Sequence, residues 1–392
     1  MRRDEITHTQ LTALLWAGVL APAAELLPTL TIQQAGRGSW LAILCAIPLV
    51  LLGGWLLSGI SRGEGAAHTL RHYLGPWAGR GVLLLYLCWC ELLLALRLRL
   101  CAQRLLFAGY RDGSLWFFLV VATGLTLWMG LGRLSAFARA GQVFLAVLLA
   151  TGGVVLLLSA GQVRAERLLP LSWEEGAAAL WGAVPAAGLL GWGLCGAFLT
   201  GQVRREEDRG RWHWLFWGAG GCALLALAQG IIVGNLGARL AGQLERPFFA
   251  LAKSVGVEGA FQRVESVVAA LWTFSDLAIA GLLCFAMRAQ WREIGPAGTE
   301  RKGGAVLLLL AALLAASLFS EGAVTSLWSR YIIPAGNLIL ALAAPALLRV
   351  LLLFCEKRQG GGTSCGKKQG KRGRYSCAEE NEKKSGKNEK KC

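Results

Sequence analysis

Runs of about twenty apolar residues recur along this chain, and that is the length an α-helix needs to cross a bilayer. Ten such windows fall at 11–30, 39–60, 82–106, 114–132, 141–160, 176–200, 212–236, 264–287, 304–320 and 329–354. They are continuously apolar and do not alternate at period two, which excludes a membrane β-barrel. With 55% hydrophobic residues and a mean hydropathy of +0.50, the chain reads as an all-α integral membrane protein with a transmembrane domain over 1–355. Met1–Thr9 is short and polar and no small-residue cleavage site follows, so Leu11–Leu30 is read as a retained first span.

Two windows, the first and the sixth, are punctuated alike. The first carries Gly18, Pro22, Glu25 and Pro28; the sixth carries Pro185, then Gly188, Gly191, Gly193 and Gly196. Proline removes a backbone donor and glycine tolerates non-helical backbone, so both spans are expected to break. In a bilayer, irregular backbone persists only where protein buries it or where it lines a wet cavity. Breaks at corresponding places in two halves point to a transporter-like site at mid-membrane.

Charge sets the orientation. With the N-terminus inside, fifteen Lys and Arg fall in inside segments against ten outside, Arg104 being counted among the ten. Thirteen more follow Leu348, so the positive-inside rule places both termini in the cytoplasm. Residues 356–392 are rich in Lys, Gly, Ser and Glu and read as a disordered basic tail beside anionic lipid headgroups, with no specific nucleic acid as partner. Trp40, Trp77, Trp116, Trp173, Trp212, Trp291 and Trp328 sit near span ends, as an interfacial belt requires.

Ionisable groups inside spans cost about 2.5–3.5 kcal/mol each on insertion scales and so mark functional positions. Glu25, Glu91 and Asp276 lie within spans one, three and eight, and Glu265 opens the eighth. Span three also holds Arg97 and Arg99. The six-residue separation of Glu91 and Arg97 does not align them on one helix face, which makes a partner on another helix the expectation for Glu91. Glu91 and Arg97 read equally well as a structural ion pair. The ligand-binding set expected from these features is Gly18, Pro22, Ala23, Glu25, Glu91, Gly188, Gly191, Gly193 and Asp276. Neither a catalytic constellation nor a nucleotide or zinc motif stands out, His8, His68, His72 and His213 are not paired at ligand spacing, and the eleven cysteines lack a disulfide or zinc pattern. The chain is read as no enzyme, with neither cofactor nor metal.

Several stretches carry a resemblance. Ile6–Leu11 (ITHTQL) precedes the first span; Leu27-Pro28, Ala35-Gly36 and Trp40 follow at fixed distances. Thr69–Gly81 leads into the third span and Leu168-Leu169-Pro170-Leu171 precedes the sixth. The most specific block runs from Glu245-Arg246-Pro247 through Phe261, Arg263 and Glu265 to Trp272. Over residues 6–350 this order and spacing resemble the B subunit of endospore germinant receptors, permease-like proteins of the amino acid–polyamine–organocation superfamily. One departure is Ala21-Pro22-Ala23-Ala24-Glu25, where the family has glycines ahead of its Leu-Pro.

The resemblance implies a LeuT-type 5+5 inverted repeat with broken helices 1 and 6. It implies a subunit that binds a small germinant, an amino acid, in the spore inner membrane and acts with an A-type membrane subunit and a C-type lipoprotein. Half-helix N-termini would meet the ligand carboxylate, and Glu25 or Asp276 would complete an ammonium site or carry a proton. The sequence leaves two other functions open: a proton-coupled secondary transporter of an amino acid or similar solute, and a structural scaffold of a membrane complex.

Overall fold

The computed structural model describes residues 4–61, 65–109, 113–169, 172–204, 210–254 and 264–351. The tail 356–392, Phe261, Arg263, Pro170-Leu171 and the Glu265 side chain lie outside the described residues. Among the described residues, each of the ten apolar windows is largely helical. Seven helices are long and apolar enough to cross a membrane among the described residues. One of them, His8–Ile60, holds the first two windows.

Helix α1 (His8–Ala35) is capped by Thr7, whose hydroxyl accepts from the Gln10 amide while Gln10 reaches back to the Thr7 amide. The chain then reverses at Gly36, where φ is +52°, a value glycine adopts without strain. The second window is split into α2 (Ser39–Cys45) and α3 (Ile47–Ile60). The third, α4 (Ala66–Gly109), starts well before its apolar window and is kinked at Gly75 (φ +82°), just ahead of Pro76. Helices α5 (Leu115–Gly130) and α6 (Leu134–Ala160) complete the first half.

The sixth window is α7 (Trp173–Leu190), a 3-10 turn at Gly191–Gly193, and α8 (Leu194–Ala197). Then come α9 (Gly210–Leu236), the short α10 (Ala238–Gln243) and α11 (Pro247–Ser254), α12 (Val264–Ile294) and α13 (Glu300–Ser317). The tenth window begins as α14 (Gly322–Leu327) and continues through α15 (Ile333–Leu338), flanked by π turns at Trp328–Ile332 and Ile339–Ala343.

The expected break in span one does not occur. Helix α1 runs through both Pro22 and Pro28, and every residue from Ala21 to Leu30 except Leu26 is buried. A proline removes one helical hydrogen bond, and neighbouring helices hold the rest of the ladder in place. Here α6, α7 and α12 pack on α1. In span six the proline is also accommodated, at Pro185 within α7, and the interruption comes at the glycines.

The interior is lined by α1, α4, α7 and α12, and large apolar side chains such as Trp116, Val120, Leu157 and Leu313 are exposed. That inside-out distribution suits a hydrocarbon solvent. Outside the spans, the N-terminal segment is anchored twice. Asp4 accepts from the Leu134 and Ser135 amides at 2.7 and 3.1 Å, capping α6. Burial raises the Asp4 pKa, but hydrogen bonds from Ser135 and Leu134 and the nearby Arg133 charge outweigh it, leaving the carboxyl below its ordinary value. Ile6 forms a bridge to Val203, donating to the Gln202 carbonyl at 2.9 Å and accepting from the Arg204 amide at 2.8 Å. The entry of span one is thereby tied to the segment after span six.

Candidate functional site

Three of the four helices lining the interior each contribute charge to one cluster. Glu25 comes from α1, Arg97 and Arg104 from α4, and Asp276 from α12; all are buried. The Arg104 guanidinium donates through one terminal nitrogen to Glu25 and through the other to Asp276. Arg246, ahead of α11, places Nε 3.0 Å from the second Glu25 oxygen. Arg97 Nη1 stands 4.0 Å from Asp276 Oδ1, and its guanidinium lies over the Trp192 ring, 4.5 Å from the centroid.

Helical geometry explains the convergence. Arg97 and Arg104 are seven residues apart, two turns, and so share a face of α4. Gly18 and Glu25 have the same relation on α1. A Cβ on Gly18 would lie 3.0 Å from Ile279 Cβ, and Ile279 is three residues beyond Asp276 on α12. The missing side chain at Gly18 therefore brings α12 close to α1, and the Ser275 hydroxyl donates to the Ala17 carbonyl at 2.5 Å along the same seam. Ions buried in this way persist because each carboxylate meets a guanidinium; removing one partner of such a pair costs about 3–5 kcal/mol.

Arg97 connects the cluster to the interrupted span. Trp192 occupies the Gly191–Gly193 turn and is 1% exposed. The flanking glycines face the tenth window: a Cβ on Gly191 would lie 2.9 Å from Asn337 Cβ, and one on Gly188 only 2.2 Å from the Pro334 carbonyl oxygen. The two positions are thus close-packing points. A cavity of about 40 Å³ beside Gly191 and Gly193 is lined also by Asn337, whose Oδ1 accepts from the Trp89 indole at 2.9 Å. It accommodates water, being far below the ~300 Å³ at which small-ligand sites begin. Pro22 and Ala23 are buried in α1, close in sequence to Glu25.

Glu91 is the exception. It is buried on α4 with neither carboxylate oxygen hydrogen-bonded among the described residues, so the expected partner on another helix is not found. Arg97, its alternative partner, turns to Asp276 and Trp192 because six residues along a helix point in different directions. Of the expected set, Glu25 and Asp276 meet in the cluster, Gly191 and Gly193 bracket the tryptophan beside it, and Glu91 is separate. Arg104, read as an outside charge, is instead the centre. Its seven-residue spacing from Arg97 was the available signal.

The match to known proteins is consistent with this architecture. A family model described as spore germination protein, a spore permease, matches residues 5–321. Among solved structures, the crystal structure of MhsT in complex with L-phenylalanine aligns with a TM-score of 0.63 at 15% identity, covering 91% of this chain and 96% of that chain. At that identity the likeness is one of fold, the LeuT type. A search of curated proteins finds no match.

Proposed function

This chain belongs to the spore germination protein family, and we propose that it is the permease-like subunit of a nutrient-germinant receptor. In this reading it binds a small germinant, an amino acid, at the Glu25–Arg104–Asp276 cluster beside the span-six turn. Ligand shifts the packing of that turn and so triggers germination. The chain is a membrane permease or receptor, not an enzyme. The proposed setting is the spore inner membrane with both termini cytoplasmic, in complex with an A-type membrane subunit and a C-type lipoprotein.

The observation that carries the reading is the cluster itself. Charged groups from three spans are buried together next to the glycine-built interruption of span six, and ionisable groups within spans mark functional positions. The amino acid bound by MhsT, a protein of the same fold, supports the ligand class. The test is germination of spores carrying Glu25→Gln or Asp276→Asn against a panel of single amino acids, with receptor abundance measured by immunoblot of spore membranes. The expected result is loss of the response at normal abundance. An unchanged dose–response would remove the cluster from the function.

Glu91 favours a second reading, a proton-coupled transporter. A buried carboxylate without a hydrogen-bond partner among the described residues is suited to taking up and releasing a proton. Purified protein in liposomes would then accumulate labelled amino acid under a pH gradient, and Glu91→Gln would abolish the gradient dependence. No saturable flux would reject transport.

A further inference from the structure

Within the cluster, hydrogen-bonding capacity is spent unevenly. Arg104 is used on both carboxylates, and both Glu25 oxygens are engaged, by Arg104 and Arg246. What remains is a facing donor and acceptor. Among the described residues Arg97 Nε and Nη1 have no hydrogen-bond partner, and neither has Asp276 Oδ1, although Arg97 and Asp276 are each only 1% exposed. Their 4.0 Å separation exceeds the 2.7–2.9 Å or so of a charge-assisted hydrogen bond. The Cys101 thiol lies beside the same Asp276 carboxylate, one turn along α4 from both arginines.

Buried donors and acceptors of charged groups are seldom left unmade in native proteins, and those that are point to a function. Here the unmade pair has a polarity, a cation's donors on α4 opposite an anion's acceptor on α12. A molecule that carries a carboxylate and an ammonium a few ångströms apart completes both at once. A pure cation would meet Arg97 as a like charge, and a pure anion would meet Asp276.

We propose that Arg97 and Asp276 read the two main-chain charges of a zwitterionic α-amino acid, Arg97 taking its carboxylate and Asp276 Oδ1 its ammonium. This rests on the amino acid reading above and makes it specific. Glu25 and Arg104 complete the cluster around this pair, Arg104 holding the Asp276 carboxylate in place. Trp192 lies against one face of the Arg97 guanidinium, so a carboxylate bound at its edge is signalled directly to the Gly191–Gly193 turn. The recognition uses side chains of spans three and eight in addition to any helix-end dipole.

The test uses the full-length protein purified in detergent. Thermal-shift binding with the twenty protein L-amino acids identifies the tightest ligand, whose C-terminal amide and N-acetyl derivative are then titrated, with putrescine as the cation-only probe. The expected result is a loss of about 30-fold or more in Kd for each blocked derivative and no putrescine binding. Arg97→Gln should erase the preference for the free carboxylate, and Asp276→Asn the preference for the free ammonium. Arg97→Lys should retain part of the former.

If the amide binds as tightly as the acid, or Arg97→Gln keeps the preference, the Arg97 assignment is overturned while the amino acid reading stands. The derivative series needs no variant, so a misfolded Arg97→Gln does not protect the proposal. If none of the twenty amino acids shifts the wild-type protein, the amino acid reading fails and this inference fails with it.

Discussion

In span one the chain carries Pro22 and Pro28 and stays helical from His8 to Ala35; in span six it passes Pro185 undisturbed and leaves the α-helix at Gly191–Gly193. The punctuation is similar and the outcomes differ. A proline deletes one donor and one hydrogen bond, a local loss that packing by α6, α7 and α12 on α1 offsets. Two glycines in three residues remove the side chains that would hold backbone geometry and gain conformational freedom instead. The close approach of Asn337 to Gly191 then requires glycine there. The comparison teaches that span one carries its buried charge on a continuous helix, whereas span six brings interrupted backbone beside the same cluster.

The sharpest way to break that division of labour is Arg104→Gln. It leaves Glu25 and Asp276 without their shared guanidinium, and the expected cost is about 3–5 kcal/mol or more. Chemical denaturation in detergent should show it, together with a lost germination response. A variant as stable as wild type would mean that the two carboxylates are not held ionised by Arg104.

Next in size is Gly188→Ala, which puts a methyl group against the Pro334 backbone oxygen. Overpacking of this kind costs about 1–3 kcal/mol. The destabilisation should be accompanied by altered ligand response if span six moves against the tenth window. Unchanged thermal stability would show that the two segments separate readily.

Smaller again is the tie between the two spans at the N-terminal segment. Replacing a helix-capping side chain by alanine costs about 0.5–2 kcal/mol; Asn keeps one of the two acceptors, so Asp4→Asn should lower stability at neutral pH by a fraction of that. Because the folded carboxyl has a lowered pKa, its contribution is complete above the unfolded value of about 3.9. It is lost as pH falls through the folded value, so wild type and Asp4→Asn should converge only in strong acid. Convergence already at pH 6 would contradict the cap.

The smallest effect is expected from Pro22→Ala, within about 1 kcal/mol, because it restores a single hydrogen bond in a helix that is already continuous. Germination should be retained. A variant that loses the response while keeping its stability would show that span one bends during function, and would erase the distinction between the two spans.

Much of the fold was legible without coordinates. Bilayer thickness imposes a length on every crossing segment, and the apolar windows are largely helical among the described residues, where seven helices are long and apolar enough to cross. The break at Gly191–Gly193 was legible because glycine on each side of Trp192 lets the backbone leave the α-helix without strain. The motif block containing Arg246 pointed to the family that the chain belongs to. The continuity of α1 was not legible, since whether a proline breaks a helix depends on the neighbours that bury it. Nor were the π turns flanking α15, which answer to packing in the tenth window.

The site divides along the same line. The sequence by itself determined that Glu25 and Asp276 are buried acids, because a charge inside an apolar run has no water to reach. It determined, too, that Arg97 and Arg104 share a face, because helix periodicity is local. Only the tertiary structure decided that Arg104 joins the two acids and that, among the described residues, Arg97 has donors to spare above Trp192 and Glu91 has no hydrogen-bond partner. Pairing between spans depends on how helices far apart in the chain are turned about their own axes. That rotation is set by small residues such as Gly18 and Gly188 against their neighbours, and no local pattern contains it.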